Sequence, residues 1–310
     1  MTEALSGRIR ILSFSFEGVA LQRLDNRRRN QLCGCMHAHN ELAFLNRLLM
    51  FVQNTTSDGL LHDHAQAIQM WTALQILAGK LYETWWMLAE RILRAAGSEP
   101  IMSSLSAQHA LSLQWLRNYF GDQQRKNNPI KIIRDKIAFH YDGLDLGQAM
   151  QNLGECENVV HLARHPANTL YYIGSAVSFR AIFTLIADQT TTPRGRSFDE
   201  RLDAGFRLVI EDVKAANLHL HHVLYGFIKA MMEEARGGDL GAPSDSTNVT
   251  NAPAPETIGL SPWLLLHRED SLIDEIGASP PTSPTGSYAQ THDAAADVAV
   301  RADDPYDRTF

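Results

Sequence analysis

The feature that most constrains this chain is an apolar stripe. Between His62 and Gly97, residues Met70, Leu74, Leu77, Leu81, Trp85, Leu88 and Ile92 recur at steps of three and four. That spacing puts side chains on one face of an α-helix and calls for a core opposite it. A second long stripe starts at Ser197, where Ser-x-x-Glu (Ser197, Glu200) makes a capping box. It carries Phe198, Leu202, Val209, Val213, Leu220, Leu224, Phe227 and Met231 to a Gly237-Gly238 stop. Gly205 and Gly226 are expected to kink this helix. Shorter helices are predicted over Ser106 to Phe120 and over Asn128 to Asp142, the latter with Asn128 as N-cap, Pro129 at the first helical position and Gly143 beyond its end. These four predict an all-α fold, an antiparallel four-helix bundle. Extra helices are expected at Asn40 to Val52 and Tyr171 to Ala187, and a short strand at Arg8 to Phe16.

Composition divides the chain into three parts. Residues 1–39 make an N-terminal segment whose structure, beyond the strand, the sequence does not assign, and 40–237 form the helical body. From Gly238 to Phe310, Gly, Ala, Pro, Ser, Thr and Asp dominate without period, which reads as a disordered acidic tail. Within it, Ser261 to Ile276 is an apolar island, read either as a docking helix or as a patch of no consequence. The formal net charge is −7, but the tail holds 12 Asp/Glu against 3 Arg, leaving 25 basic and 23 acidic residues before it. The body is therefore slightly basic, and overall charge does not exclude a polyanion.

Three cysteines are too few for a disulfide framework, so a reducing cytoplasm is expected. No stretch reaches the ~18 apolar residues of a membrane span and the N-terminus shows no apolar export region, so neither export nor membrane insertion is expected. The phosphate-binding patterns Gly-x-Gly-x-x-Gly and Gly-x4-Gly-Lys-Ser/Thr are both absent.

The chemistry concentrates in Ile132-Ile133-Arg134-Asp135-Lys136-Ile137-Ala138-Phe139-His140-Tyr141. On a straight α-helix, Ile130, Ile133, Ile137 and Tyr141 make one stripe, with Arg134 about 60° to one side and His140 about 60° to the other. The two ionisable groups then lie about 9 Å apart along the axis, so one copy alone makes a sparse site. Two such helices meeting across a two-fold axis would gather two guanidinium groups and two imidazoles around one cleft. Arginines can bind phosphate oxygens bidentately, and an imidazole can take the proton from a ribose 2′-hydroxyl. Asp135 is placed to orient Arg134 or the partner's imidazole.

Arg-Asp-x4-His on the third helix of a bundle resembles the HEPN (higher eukaryotes and prokaryotes nucleotide-binding) superfamily. Ile-Arg-Asp-Lys-Ile-Ala-Phe-His-Tyr-Asp is similar to its bacterial abortive-infection and toxin forms. The resemblance covers roughly Asn40 to Gly237. It implies a homodimeric, metal-independent endoribonuclease with no cofactor, with Arg134 and His140 catalytic and Asp135 supporting. A toxin or phage-defence role and an antitoxin or regulatory partner come with that implication. Lys136 and the cluster Arg27, Arg28, Arg29 are read as RNA-binding, although a solvated loop also accounts for such a basic run. Two alternatives stay open: a non-catalytic RNA- or protein-binding module, in which Arg134 simply pairs with Asp142 or Glu83, and a metal-dependent helical-bundle enzyme.

Other signals are weaker. Cys33, Cys35, His37 and His39 alternate, which in an extended segment would align them as ligands, but zinc sites use Cys-x2-Cys. Glu157, His161 and His165 share a face if helical. His219, His221 and His222 cannot all ligate one ion on a helix, since neighbours point about 100° apart. Trp85, Trp86 and Tyr82 either stack bases or pack the core.

Overall fold

The computed structural model describes residues 7–16, 18–53, 59–121, 128–138, 144–163, 169–190 and 197–252. All lie in the first of two units, Met1–Asp270; the second, Ser271–Phe310, falls outside them, as does the 261–276 island. The described chain is helical almost throughout, with one two-stranded sheet.

In order, the elements are β1 (Gly7–Ser13), α1 (Gly18–Gln22), α2 (Asn26–Gln53), α3 (Leu60–Leu88), α4 (Glu99–Ser103), α5 (Ala107–Phe120), α6 (Pro129–Ile133), α7 (Leu146–Gln151), α8 (Tyr172–Thr190), α9 (Phe198–Arg236) and β2 (Asp245–Ala252). π-turns follow α3 at Ala89–Leu93 and α6 at Arg134–Ala138.

The 39-residue α9 is the axis of the fold. Its predicted capping box forms: Ser197 Oγ accepts from the Glu200 N–H at 3.2 Å, and Glu200 Oε2 accepts from the Ser197 N–H at 2.7 Å. Gly237 closes the far end in the left-handed conformation at φ 75°, where a side chain would be strained. Val209, Val213, Leu220, Leu224, Phe227 and Met231 are buried, and α2, α3, α5, α6 and α8 all pack on this helix. Leu74, Leu77, Leu81, Leu88 and Ile92 of the first stripe are likewise buried.

Several expectations are corrected. α9 runs as one helix through Gly205 and Gly226, where neighbouring segments come too close for a side chain. A Cβ at Gly205 would overlap the Phe183 carbonyl oxygen on α8, and one at Gly226 would press on Leu105 and His109 at 2.8 and 2.9 Å. The helix predicted from Asn40 begins at Asn26, so α2 crosses the boundary drawn at residue 39. The stretch from Gly238 is not irregular throughout: β2 pairs antiparallel with β1, Ile11 opposite Thr247 and Ser13 opposite Asp245. A polar run such as Asp245-Ser-Thr-Asn announces no strand by itself; its partner lies at the other end of the chain.

Residues 144–163 and 169–190 hold α7 and α8, which pack together through Ala149, Val177 and Ala181. No helix of the described residues is long and apolar enough to cross a membrane.

Candidate functional site

The site grows from the start of α6. Asn128 Oδ1 accepts from the Lys131 N–H at 3.1 Å and Pro129 supplies a pre-set φ, so the helix begins where the sequence predicts. Ile130, Ile133 and Ile137 are buried, as the stripe requires. The backbone then changes: Arg134–Ala138 form a π-turn. Its i→i+5 bonding turns the chain less per residue than an α-helix, so the 60° offsets of a straight helix do not carry beyond Ile133. π-turns recur at functional sites because they re-aim side chains at little cost to the flanking helix.

Arg134 reaches back to α3. Its Nε donates to Glu83 Oε1 at 2.9 Å and its Nη1 donates to Asp135 Oδ1 at 3.0 Å, with Nη2 2.7 Å from the same Glu83 oxygen. Its guanidinium carbon stands 5.6 Å from the centre of the Tyr82 ring, and Lys131 Nζ stands 5.9 Å from that centre. Lys131 also pairs with Asp135. Burial alone would raise the Asp135 carboxyl, but hydrogen bonds and charge from Lys131 and Arg134 outweigh it and hold the group below the usual carboxylate range. Burial opposes the charge on Arg134, and Asp135 and Glu83 more than restore it. The guanidinium thus remains charged and one third exposed. Lys136 is partly exposed and makes no ion pair among the described residues.

His140 lies outside the described residues, with Phe139, Tyr141 and Asp142. Arg134, Asp135 and the unpredicted Lys131 are brought together, while no described contact joins Lys136 to them. Lys131 was legible as the residue four before Asp135, a spacing that pairs charges on a helix.

The cluster Arg27, Arg28, Arg29 lies elsewhere, on the first turn of α2, and does not act as one basic patch. Arg28 is 7% exposed. Its Nη1 donates to Gln31 Oε1 at 2.9 Å, its Nη2 to the Gly97 carbonyl at 2.8 Å, and its Nε faces Glu234 at 3.4 Å. It clamps the start of α2 to the end of α9. Arg27 is exposed and Arg29 partly so, which leaves these two to face solvent.

The rival constellations are dispersed. Cys33 to His39 is helical: Cys35 is buried, its thiol pushed up to about 12 by burial, while Cys33 is exposed. His37 pairs with Glu41, and the His39 ring meets His221 edge-on at 4.7 Å. Glu157 ends a short 3₁₀ turn and accepts three hydrogen bonds from Arg180, one from Nη2 at 2.6 Å and two from Nε at 3.0 Å, while His161 sits in an isolated β-bridge with Leu170 and its Nε2 is 3.0 Å from His64 Nδ1. These do not share a helical face, and His165 lies outside the described residues. His219 and His222 both reach Ser112 Oγ, at 3.1 and 3.2 Å, while His221 turns away from them. No group of three or more His, Cys, Asp or Glu among the described residues is arranged to hold a metal ion.

Trp85 packs, stacked on Phe120 at 5.6 Å; its neighbour Trp86 is half exposed. Compared with protein-family models, curated proteins and solved structures, the chain matches none.

Proposed function

We propose that the helical body is a HEPN-like bundle acting as a metal-independent endoribonuclease on single-stranded RNA, with a composite site at a homodimer interface. The observation that supports it is the grouping of Lys131, Arg134 and Asp135 at the head of the Arg-Asp-x4-His motif, where α6 passes into a π-turn, with the guanidinium charged and one third exposed. In this reading a phosphodiester displaces Glu83 from the Nε and Nη2 edge of Arg134, which then carries charge building on the phosphate oxygens. Asp135 holds the remaining edge. His140 takes the proton from the ribose 2′-hydroxyl, whose oxygen bonds to the adjacent phosphorus. The bond from phosphorus to the 5′-oxygen breaks, that oxygen takes a proton from the partner's imidazole in its protonated, imidazolium form, and a 2′,3′-cyclic phosphate remains. A role as a toxin or phage-defence effector restrained by an antitoxin would follow from such activity.

The second reading, a non-catalytic RNA- or protein-binding module, is favoured by one observation: two carboxylates already satisfy the Arg134 guanidinium. One experiment separates the two. Purified full-length protein is incubated with unstructured RNA in EDTA. Cleavage is expected, and Arg134→Ala and His140→Ala each abolish it while leaving the thermal unfolding transition in place. Activity that survives both substitutions, or that needs a divalent ion, overturns the endoribonuclease reading.

A further inference from the structure

A cavity of about 290 Å³ opens where the π-turn after α3 faces the end of α5, lined by Tyr82, Trp85, Trp86, Glu90, Arg94 and Arg117 among others. At just under the roughly 300–1,000 Å³ of small-molecule sites, it suits one flat ring better than an extended ligand. The described tryptophans, of which Trp85 and Trp86 line this cavity, divide by role. Trp85 is occupied, stacked on Phe120. Trp71 meets Phe179 and Phe183, and Trp115 stacks on Tyr119 and His219. Trp86 has no ring partner among the described residues and is 50% exposed. A large flat apolar face left bare at the mouth of a cavity is the platform on which proteins stack nucleic-acid bases.

The charges at the mouth suit a polyanion. Arg117 is exposed, and its one described side-chain contact is neutral, Nη2 to Met102 Sδ at 3.5 Å. Arg94 is exposed and, among the described residues, its ion pair is with Glu90, within its own turn. Such a surface pair contributes ~0–1 kcal/mol and yields readily to a phosphate. The cavity also adjoins the Arg134 surface through one side chain: Tyr82 lines it, and the same ring lies beneath Arg134 and Lys131.

We infer that this cavity holds one base of a single-stranded RNA, stacked on Trp86, with Arg94 and Arg117 on the flanking phosphates and Tyr82 leading the strand to Arg134. The inference rests on the RNA reading above and names the groove by which the strand would approach. Shape and stacking carry the binding, so the site tolerates any base while Glu90 adds an acceptor for an amino-bearing one.

The test uses full-length protein and a labelled ten-nucleotide 2′-O-methyl RNA, which lacks the attacking hydroxyl, titrated by fluorescence anisotropy at fixed salt. Trp86→Ala is expected to weaken binding about 5- to 150-fold, the range for one lost base stack. Trp86→Phe restores most of it, and Phe44→Ala, which removes a ring 63% exposed on α2, leaves it unchanged. Unaltered affinity in Trp86→Ala, or equal loss in Phe44→Ala, overturns the inference. Adenosine monophosphate bound as tightly as the oligonucleotide overturns the strand and makes the cavity a free-nucleotide site. Loss of cleavage in Arg134→Ala with normal binding in Trp86→Ala sinks this pocket alone; the reverse pattern sinks the Arg134 reading and keeps the pocket.

Discussion

Arg134 Nη2 lies 2.7 Å and Nε 2.9 Å from one oxygen of Glu83, so the motif arginine reaches across to α3 while its Nη1 stays on the neighbouring Asp135. Both side chains are about one third exposed, at 33% and 39%. An ion pair in that setting stabilises the fold by ~0–1 kcal/mol. Glu83→Gln is therefore expected to change unfolding free energy by less than about 1 kcal/mol. It also removes a negative charge beside the guanidinium, so RNA affinity rises severalfold at low salt and converges with the native value at high salt. Denaturant melts and RNA titrations at two salt concentrations check both halves; affinity that does not move removes Arg134 from the RNA contact.

Arg28 behaves differently because it is buried. Arg28→Met leaves Gln31, the Gly97 carbonyl and Glu234 without their donor. Glu234 is 48% exposed and rehydrates, so the expected loss is about 2–3 kcal/mol, below the full cost of a stranded buried charge. Arg27→Ala, at an exposed position, stays within about 0.5 kcal/mol. Urea denaturation of the two variants side by side decides it, and equal stability would disprove the clamp.

The facing rings of His39 and His221 make stability fall in acid. Burial first, then the charges of His39, His222 and Arg47, depresses His221 to about 4; burial and Arg47 lower His39. The folded state holds these imidazoles neutral while the unfolded chain protonates near 6.5. Their contribution is thus fully present above pH ~6.5 and lost as the pH falls toward 4. With His221 only partly buried, solvent screening brings this to about 1–2 kcal/mol. His221→Phe should flatten the stability profile between pH 7 and 4.5; an unchanged slope would rule the pair out.

Gly205→Ala places a methyl group on the Phe183 carbonyl oxygen, and α8 must move away from α9. Overpacking of this kind costs about 1–3 kcal/mol, more than the ~1 kcal/mol gained in helix propensity. Gly226→Ala meets only side-chain atoms of Leu105 and His109, which can swing, so its melting temperature should drop less. Equal melting temperatures for both variants and the native protein would refute the close approach.

The helices were legible because their signals are local. Ser197 and Glu200 bond within four residues, Asn128 caps the turn it precedes, and the Met70 to Ile92 stripe needs only the 3.6-residue period. The Arg134 and Asp135 pair was legible for the same reason. Arg28 looked like a member of a solvated run because nothing nearby reveals that Gly97 and Glu234 come to meet it. Likewise β2 needed β1, more than 230 residues earlier, to become a strand.

By itself, then, the sequence determined the helical class, the caps and the register of the buried faces, since each depends on interactions a few residues long. Only the tertiary structure decided which side chains are engaged and which are bare: Arg28 on a clamp, Arg134 on Glu83, and Trp86 half exposed beside a cavity. That distribution arises from contacts between segments far apart in the chain, where burial and pairing outweigh what any short stretch of residues prefers.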